Sequence, residues 1–120
     1  GQATALLFPI DWPEPFGLVM IEAMACGTPV IAFPGGAVRE VIEDGRSGLI
    51  VETLEEAVAA VDRVHTLSRA QVRACFEERF TAARMAADYA ALYGSLAGVR
   101  TEAAHLRRMN GAGLPLHVVA

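Results

Sequence analysis

Two glutamates lie in a segment that is otherwise almost entirely apolar. The segment, PEPFGLVMIEAMACGTPV, covers residues 13–30, and seven residues separate Glu14 from Glu22. Carboxylates accept hydrogen bonds from hydroxyl groups, so a carboxylate on each side of a diphosphate suits a nucleotide-sugar, one for the ribose and one for the sugar. A simpler explanation makes Glu14 a charge near a helix N-terminus and Glu22 the solvated edge of that helix. The spacing alone leaves both explanations open.

Alternating strands and helices are predicted to position this segment. Apolar runs predict buried strands over residues 5–10, 29–33 and 49–51, and helices are predicted over residues 16 or 17 to 26, over residues 38–43, and from Thr53, Ser68 and Thr81 onwards, the last to about Leu96. This alternation predicts an α/β fold with a parallel sheet. Three strands are too few for a complete doubly wound domain. We therefore expect the second half of a Rossmann-like parallel sheet with flanking helices, plus further C-terminal helices.

This topology places the start of the glutamate-bearing helix at the edge of the sheet where ligands bind. In open parallel sheets, ligands bind beyond the carboxyl ends of the strands, where the loop of residues 11–16 leaves the first strand. The first amide groups of a helix have no intrahelical partner and carry partial positive charge. Gly17 lets an anion approach this backbone without obstruction by a Cβ atom. The helix start is therefore predicted to bind phosphate, with a gain of about 0.3–1 kcal/mol from the helix dipole.

Longer motifs carry a resemblance to a known family. The stretch EPFGLVMIEAMACGTPVIA is followed by GG, by REVIEDGRSGLIV and by ERFTAARMAADYAALY. Together these stretches, within roughly residues 5–96, resemble the C-terminal part of glycosyltransferase family 4, retaining enzymes of the GT-B fold. The resemblance implies that residues 1–97 are part of a donor domain, which binds the nucleotide-sugar. From Gly98 onwards the apolar pattern is lost, which predicts a loosely ordered tail over residues 98–120.

The resemblance also implies roles for individual residues. Glu14 is similar to the first member of the family's two-glutamate motif and would be the catalytic residue, holding hydroxyls of the donor sugar near the reacting carbon. The backbone of Phe16, Gly17 and Leu18 would contact the sugar and the diphosphate. Glu22 would bind the ribose hydroxyls. Transfer would retain the anomeric configuration, without an essential metal ion and without a cofactor.

The implied function is transfer of a sugar from a nucleoside-diphosphate sugar to an acceptor hydroxyl. The acceptor, a carbohydrate or a lipid-linked molecule, would bind through an N-terminal domain that is absent from this sequence. The basic residues with which the family neutralises the diphosphate also lie upstream of the matching region. We therefore expect a hexosyltransferase fragment with little or no activity in isolation. The alternatives are a non-catalytic nucleotide-sugar-binding or assembly module, and a different enzyme built on a similar half-domain.

Composition and charge argue against several other classes of protein. The net charge is −4, and no basic patch marks a nucleic-acid partner. No apolar run approaches the ~20 residues that span a membrane. Two cysteines, Cys26 and Cys75, match no metal or disulfide pattern and are predicted to be reduced and packed. These features together predict a cytoplasmic protein.

A few other residues are compatible with two roles. Trp12 either packs the loop before the helix, which we favour, or lines a sugar pocket. Gly35 and Gly36 follow the second strand at the ligand-binding edge, where they either form a tight turn or let the backbone approach the nucleotide. Tyr89 and Tyr93 lie at helical spacing and are predicted to be core residues.

Overall fold

A computed structural model describes the backbone of residues 2–110 and the side chains of residues 2–98. The chain divides into two units, Gly1–Thr81 and Ala82–Ala120. The first unit contains the strands β1 (Leu6–Phe8), β2 (Val30–Ala32) and β3 (Gly48–Ile50), the helices α1 (Leu18–Ala25), α2 (Val38–Val41), α3 (Leu54–Arg63) and α4 (Arg69–Arg79), and a 3-10 turn at Val64–Thr66. In the second unit the described residues form one helix, α5 (Ala82–Asn110).

The three strands form one parallel sheet in the order β1-β2-β3. Ile31 of β2 lies opposite Leu7 of β1 and Leu49 of β3. The central strand β2 is buried along its whole length, whereas Leu7 on the edge strand β1 is 59% exposed. The predicted α/β fold with a parallel sheet is confirmed.

The core lies on both faces of this sheet. Side chains alternate between the faces of a strand, so Val30 and Ala32 face one side and Ile31 faces the other. On the first side they join the buried residues of α1, α2 and α4, while Ile31 packs with residues of β3, α3 and the 3-10 turn. Helix α1 is therefore fixed by its packing against the sheet and α4, through Met20 and Met24.

Two arginines of α4 hold the C-terminal end of α1. The guanidinium of Arg69 donates to the carbonyl oxygen of Cys26 at 3.2 Å, and that of Arg73 donates to the carbonyl oxygen of Ala25. The last carbonyl groups of a helix have no intrahelical partner and carry partial negative charge, so cationic donors stabilise this end. The opposite end of α1, which starts after Gly17, points to the edge of the sheet where the strands end.

The two cysteines differ in their surroundings. Cys75 is buried in α4, and this burial raises the pKa of its thiol. Cys26 follows the last residue of α1 and is exposed, so the prediction that both thiols are packed is wrong for Cys26.

Helix α5 is longer than the sequence predicts. The apolar spacing predicts an end near Leu96, but the helix continues to Asn110, through the residues VRTEAAHLRRMN. Apart from Gly98, the extension beyond Leu96 contains neither Gly nor Pro and includes strong helix formers, so propensity accounts for a continuation that no apolar period marks. Tyr89 and Tyr93 are exposed, not core, because the described part of this unit offers no second element to cover them.

The division at residue 97 stays a prediction. Residues 111–120 of the predicted tail lie outside the described residues. Among the helices that the structure describes, including α5, none combines the length and the apolar character needed to cross a membrane.

An ion-pair network stabilises the edge of the sheet opposite to the strand ends. The Glu43 carboxylate accepts hydrogen bonds from Arg46 at 2.7 Å and from Arg79 at 3.0 Å, and Arg46 also donates to Glu78 at 3.2 Å. The hydrogen bond from Arg46, opposed by partial burial, is the main cause that holds the pKa of Glu43 below its usual value of 4.5. The network joins α4 to the turn before β3.

The substitution Glu43→Gln is expected to lower the free energy of unfolding at pH 7 by roughly 0.5–1 kcal/mol, as for a partly exposed ion pair. Because the folded-state pKa lies below the unfolded-state value, this contribution is present above about pH 4.5 and is lost as the pH falls through the folded-state pKa. Urea denaturation of both proteins at neutral and acidic pH measures the difference. A difference that stays equal at both pH values, or an equal effect of Asp11→Asn in the exposed loop after β1, would contradict this explanation.

Candidate functional site

Three loops meet at the edge of the sheet where the parallel strands end. The loop after β1 contains Glu14, whose carbonyl oxygen accepts a hydrogen bond at 3.0 Å from the amide of Ala37, in the loop after β2. The loop after β3 contains Glu52, whose carboxylate accepts a hydrogen bond at 2.9 Å from Arg39 at the start of α2. The first loop is therefore fixed by the second, which in turn is linked to the third.

The carboxylate of Glu14 is held at the start of α1 by a hydrogen bond to each oxygen. Oε1 accepts from the amide of Gly17 at 3.3 Å, and Oε2 accepts from the indole N–H of Trp12 at 3.2 Å. The side chain is half-buried. Each carboxylate oxygen can accept more than one hydrogen bond, so both can still accept from a ligand hydroxyl.

Gly17 has a conformational role that its position in the sequence does not reveal. Its backbone lies in the left-handed region, with φ 68° and ψ 56°, which a residue with a Cβ atom adopts only with strain. Gly17 precedes α1 without a side chain to cap it, and the first turn of α1 contains no acidic residue. Helical geometry leaves the amides of Leu18 and Val19 without an intrahelical carbonyl partner. This helix start therefore has the properties of an anion-binding site.

Glu22 lies one helical turn beyond Leu18 on the same face of α1. A spacing of four residues places the two side chains on one side of the helix, about 6 Å apart along its axis. Both are exposed, as are Val19 and Phe16. The residues predicted to bind substrate thus lie within a single segment: Glu14, Phe16, Gly17, Leu18 and Glu22.

The glycine pair after β2 contacts the loop that carries Glu14. Gly36 has φ 52°, and a Cβ atom built there would overlap the carbonyl oxygen of Glu14 and lie 2.5 Å from its amide nitrogen. A Cβ atom at Gly35 would lie 3.1 Å from the carbonyl oxygen of Trp12. The pair therefore serves the close approach of two loops, a role that was not among our predictions. The signal in the sequence is a Gly pair directly after a strand, at the same edge as Glu14.

The substitution Gly36→Ala is expected to destabilise the protein by about 2–4 kcal/mol, since left-handed strain adds to overlap with the Glu14 backbone. The matched control is Gly45→Ala, at a left-handed position with no atom within 4 Å of the added Cβ. The control is expected to cost only the ~1–2 kcal/mol of the strain. Chemical denaturation measures both losses, and equal losses would show that Glu14 does not constrain Gly36.

Trp12 differs from its favoured prediction. Its side chain is 56% exposed, so it does not pack the loop into the core, and its indole N–H binds the Glu14 carboxylate. The hydrogen bond was missed because residues two apart in a loop have no fixed spatial relation.

Comparisons of the sequence relate the chain to known proteins. Residues 1–79 match the family described as Glycosyl transferases group 1. The chain is 53% identical over 49 residues to the D-inositol 3-phosphate glycosyltransferase of Frankia alni, which covers 41% of this chain and 12% of that protein. It is 36% identical over 93 residues to the alpha-maltose-1-phosphate synthase of Mycolicibacterium smegmatis, which covers 65% of this chain and 24% of that protein.

A solved structure shares the fold. The sucrose-phosphate synthase from Thermosynechococcus elongatus is similar with a TM-score of 0.63 and 31% sequence identity, over 81% of this chain and 26% of that one. The chain thus spans between 12% and 26% of the length of these three proteins. The likeness confirms the predicted fold class, a partial Rossmann-like sheet of GT-B type. Because the family match covers most of the chain and includes both Glu14 and Glu22, the chain belongs to the glycosyl transferases group 1 family.

Proposed function

We propose that this chain is part of the donor domain of a family 4 glycosyltransferase. The enzyme transfers a sugar from a nucleoside-diphosphate sugar to an acceptor hydroxyl with retention of configuration, in the cytoplasm and without an essential metal ion. The observation that supports this most strongly is the carboxylate of Glu14, held at the start of α1, with Glu22 exposed one turn into the same helix. Relatives whose names describe glycosyl transfer and sugar-phosphate synthesis support a sugar donor.

Each part of the site is assigned to one part of the donor. Glu14 accepts hydrogen bonds from hydroxyls of the transferred sugar and is the proposed catalytic residue. The backbone of Phe16, Gly17 and Leu18 lies against the sugar and the diphosphate, where the first amides of α1 favour negative charge. Glu22, further along the exposed face, binds the ribose hydroxyls. The order along α1 thus follows the order sugar, diphosphate, ribose.

The negative charges of Glu14, Glu22 and a bound diphosphate require a cation from another part of the protein. Two carboxylates and a diphosphate repel one another, and a helix dipole offsets only about 0.3–1 kcal/mol of this at an exposed site. Arg39, the arginine that follows the glycine pair, forms an ion pair with the carboxylate of Glu52 at 2.9 Å. We infer that basic residues from another part of the protein neutralise the diphosphate, which is why the isolated chain is expected to be inactive.

An exposed apolar groove supports the inference that more protein covers this sheet. The groove lies over β1, β2 and α3, and its lining includes the exposed side chains Leu7, Leu54, Val58 and Val61. Surfaces of this kind are normally covered by protein. In the alternative function, a non-catalytic assembly module, the same groove would be the contact surface between chains. This alternative predicts that the chain alone forms a tight oligomer of defined size. A monomer or a soluble aggregate of undefined size would argue against this alternative.

Activity measurements test the proposal. We call the product of the longest open reading frame that contains residues 1–120 the extended protein. The extended protein is expected to release nucleoside diphosphate from at least one of UDP-glucose, ADP-glucose, GDP-glucose and GDP-mannose when sugars, polyols and sugar phosphates are supplied as acceptors. The isolated chain is expected to release none. Turnover by the isolated chain, or none by the extended protein with the full panel, would contradict the proposal.

A further inference from the structure

We propose that Trp12 is a positioning residue that orients the carboxylate of Glu14 towards the donor sugar. The proposal rests on the role proposed for Glu14. Trp12 is the only tryptophan in the sequence, and more than half of its side chain is exposed. Tryptophan combines a large apolar ring with one N–H donor, and that donor points to Glu14 Oε2 at 3.2 Å. Burial does not explain the residue, whereas the hydrogen bond does.

The two hydrogen bonds to Glu14 restrict the rotation of its carboxylate. The terminal torsion of a glutamate side chain is broad, so a carboxylate held at one oxygen still rotates. Here Gly17 donates to Oε1 and Trp12 donates to Oε2, so each of the two oxygens has its own donor. A ligand hydroxyl then meets an acceptor whose direction is already set. Such pre-organisation favours reaction because no reorientation is needed when the sugar binds.

The backbone of the same turn is also held in place. The amide of Glu14 donates to the carbonyl oxygen of Trp12 at 2.8 Å, which closes a tight turn, and the amide of Ala37 donates to the carbonyl oxygen of Glu14. Gly35 and Gly36 lie against these two residues without side chains that would displace them. The backbone that carries the indole donor is therefore fixed by hydrogen bonds, as a positioning residue requires.

Steady-state kinetics of the extended protein distinguish positioning from the other roles of an exposed aromatic residue. Trp12→Phe keeps a ring and removes the N–H. It is expected to lower kcat about three- to tenfold, the usual range for one lost hydrogen bond, with KM for the donor within about twofold. In the Glu14→Gln background the same substitution is expected to cause no further loss, because the oriented carboxylate is already gone.

Two kinetic results would overturn the proposal. A purely structural role predicts an equal loss of kcat in both backgrounds, together with a lower Tm for Trp12→Phe. A role in stacking on a sugar ring predicts that Trp12→Leu raises KM while Trp12→Phe leaves both constants unchanged.

An NMR measurement on the 120-residue chain tests the contact independently of any activity. The single tryptophan gives one indole N–H cross-peak in a ¹⁵N correlation spectrum, which needs no assignment. Glu14→Ala is expected to move this peak upfield and to speed its exchange with water, whereas the control Glu22→Ala leaves it in place. An unchanged indole peak in Glu14→Ala overturns the proposal even if transfer is confirmed. Unchanged turnover in Glu14→Gln would instead refute the role proposed for Glu14, and with it the positioning role of Trp12, while the transfer reaction itself would stand.

Discussion

The substitution Glu14→Gln is expected to reduce the turnover of the extended protein about 100-fold or more. Glutamine keeps the size of the side chain but removes the charge and converts one acceptor oxygen into a donor. Hydrogen bonds to a charged group contribute about 1.5–3 kcal/mol each, and two of them from sugar hydroxyls correspond to about 100-fold or more in rate. The loss is measured as kcat/KM, from the release of nucleoside diphosphate.

A control separates loss of chemistry from loss of structure. Glu40 is an exposed glutamate of α2, outside the proposed donor site, so Glu40→Gln is expected to keep turnover within about twofold, as most surface substitutions do. Glu14→Gln is expected to retain the affinity for nucleoside diphosphate, because Glu14 is assigned to the sugar. Wild-type turnover in Glu14→Gln would remove the residue from the reaction.

The substitution Glu22→Gln is expected to weaken the binding of a nucleoside diphosphate about tenfold. The exposed carboxylate is assigned to two vicinal ribose hydroxyls, and its exposure limits the effect to the lower end of the range for charge-assisted hydrogen bonds. Isothermal titration of the extended protein with ADP, CDP, GDP and UDP measures the change for whichever base binds most tightly. The expected effect falls on affinity and extends to KM for the donor.

The control for Glu22→Gln is the corresponding substitution at Glu14, which is assigned to a different part of the donor. Glu14→Gln in the same titration is expected to leave the affinity for the nucleoside diphosphate unchanged, because this ligand lacks the transferred sugar. Equal weakening by both substitutions would mean that the two carboxylates do not contact different parts of the donor. Wild-type affinity in Glu22→Gln would show that Glu22 does not bind the ribose hydroxyls.

The strands and the helix that position the site were predictable because apolar periodicity reflects burial. The three apolar runs became the three parallel strands, and the run before Gly27 became α1, with Met20 and Met24 in the core. The location of Glu14 at the start of that helix followed from the topology, because parallel strands end at one edge. The roles of the two glutamates are not tested by the fold and stay predictions.

The contacts between loops could not be predicted from the sequence. The approach of Gly36 to Glu14 depends on how two loops meet in space, and they are more than 20 residues apart in the chain. From the sequence, the glycine pair was predicted either to form a tight turn or to let the backbone approach the nucleotide. In the structure the pair instead lets one loop pack against another. Trp12 shows the same limit, because an exposed indole with a hydrogen-bond partner has no signature in a single sequence.

The end of α5 and the exposure of Cys26 show two further limits. An apolar period predicts where a helix is covered, not where it ends, so the residues after Leu96 carried no signal for the continuation to Asn110. Cysteine is usually a buried residue type, and that preference suggested packing for Cys26. Its position at the end of α1 overrides the preference.

The exposed face of α1 is proposed to bind the nucleotide through Glu22, and the division of the donor between the two glutamates depends on this contact. The most direct test is a thermodynamic cycle in which the extended protein and its Glu22→Gln variant are titrated with the best-bound nucleoside diphosphate and with its 2′,3′-dideoxy analogue. In the wild-type extended protein, loss of both ribose hydroxyls is expected to weaken binding about tenfold. In the Glu22→Gln variant the same loss is expected to change the affinity very little, because the carboxylate that would accept from these hydroxyls is already absent. An equal loss in the two proteins would show that Glu22 does not contact the ribose and would contradict the account.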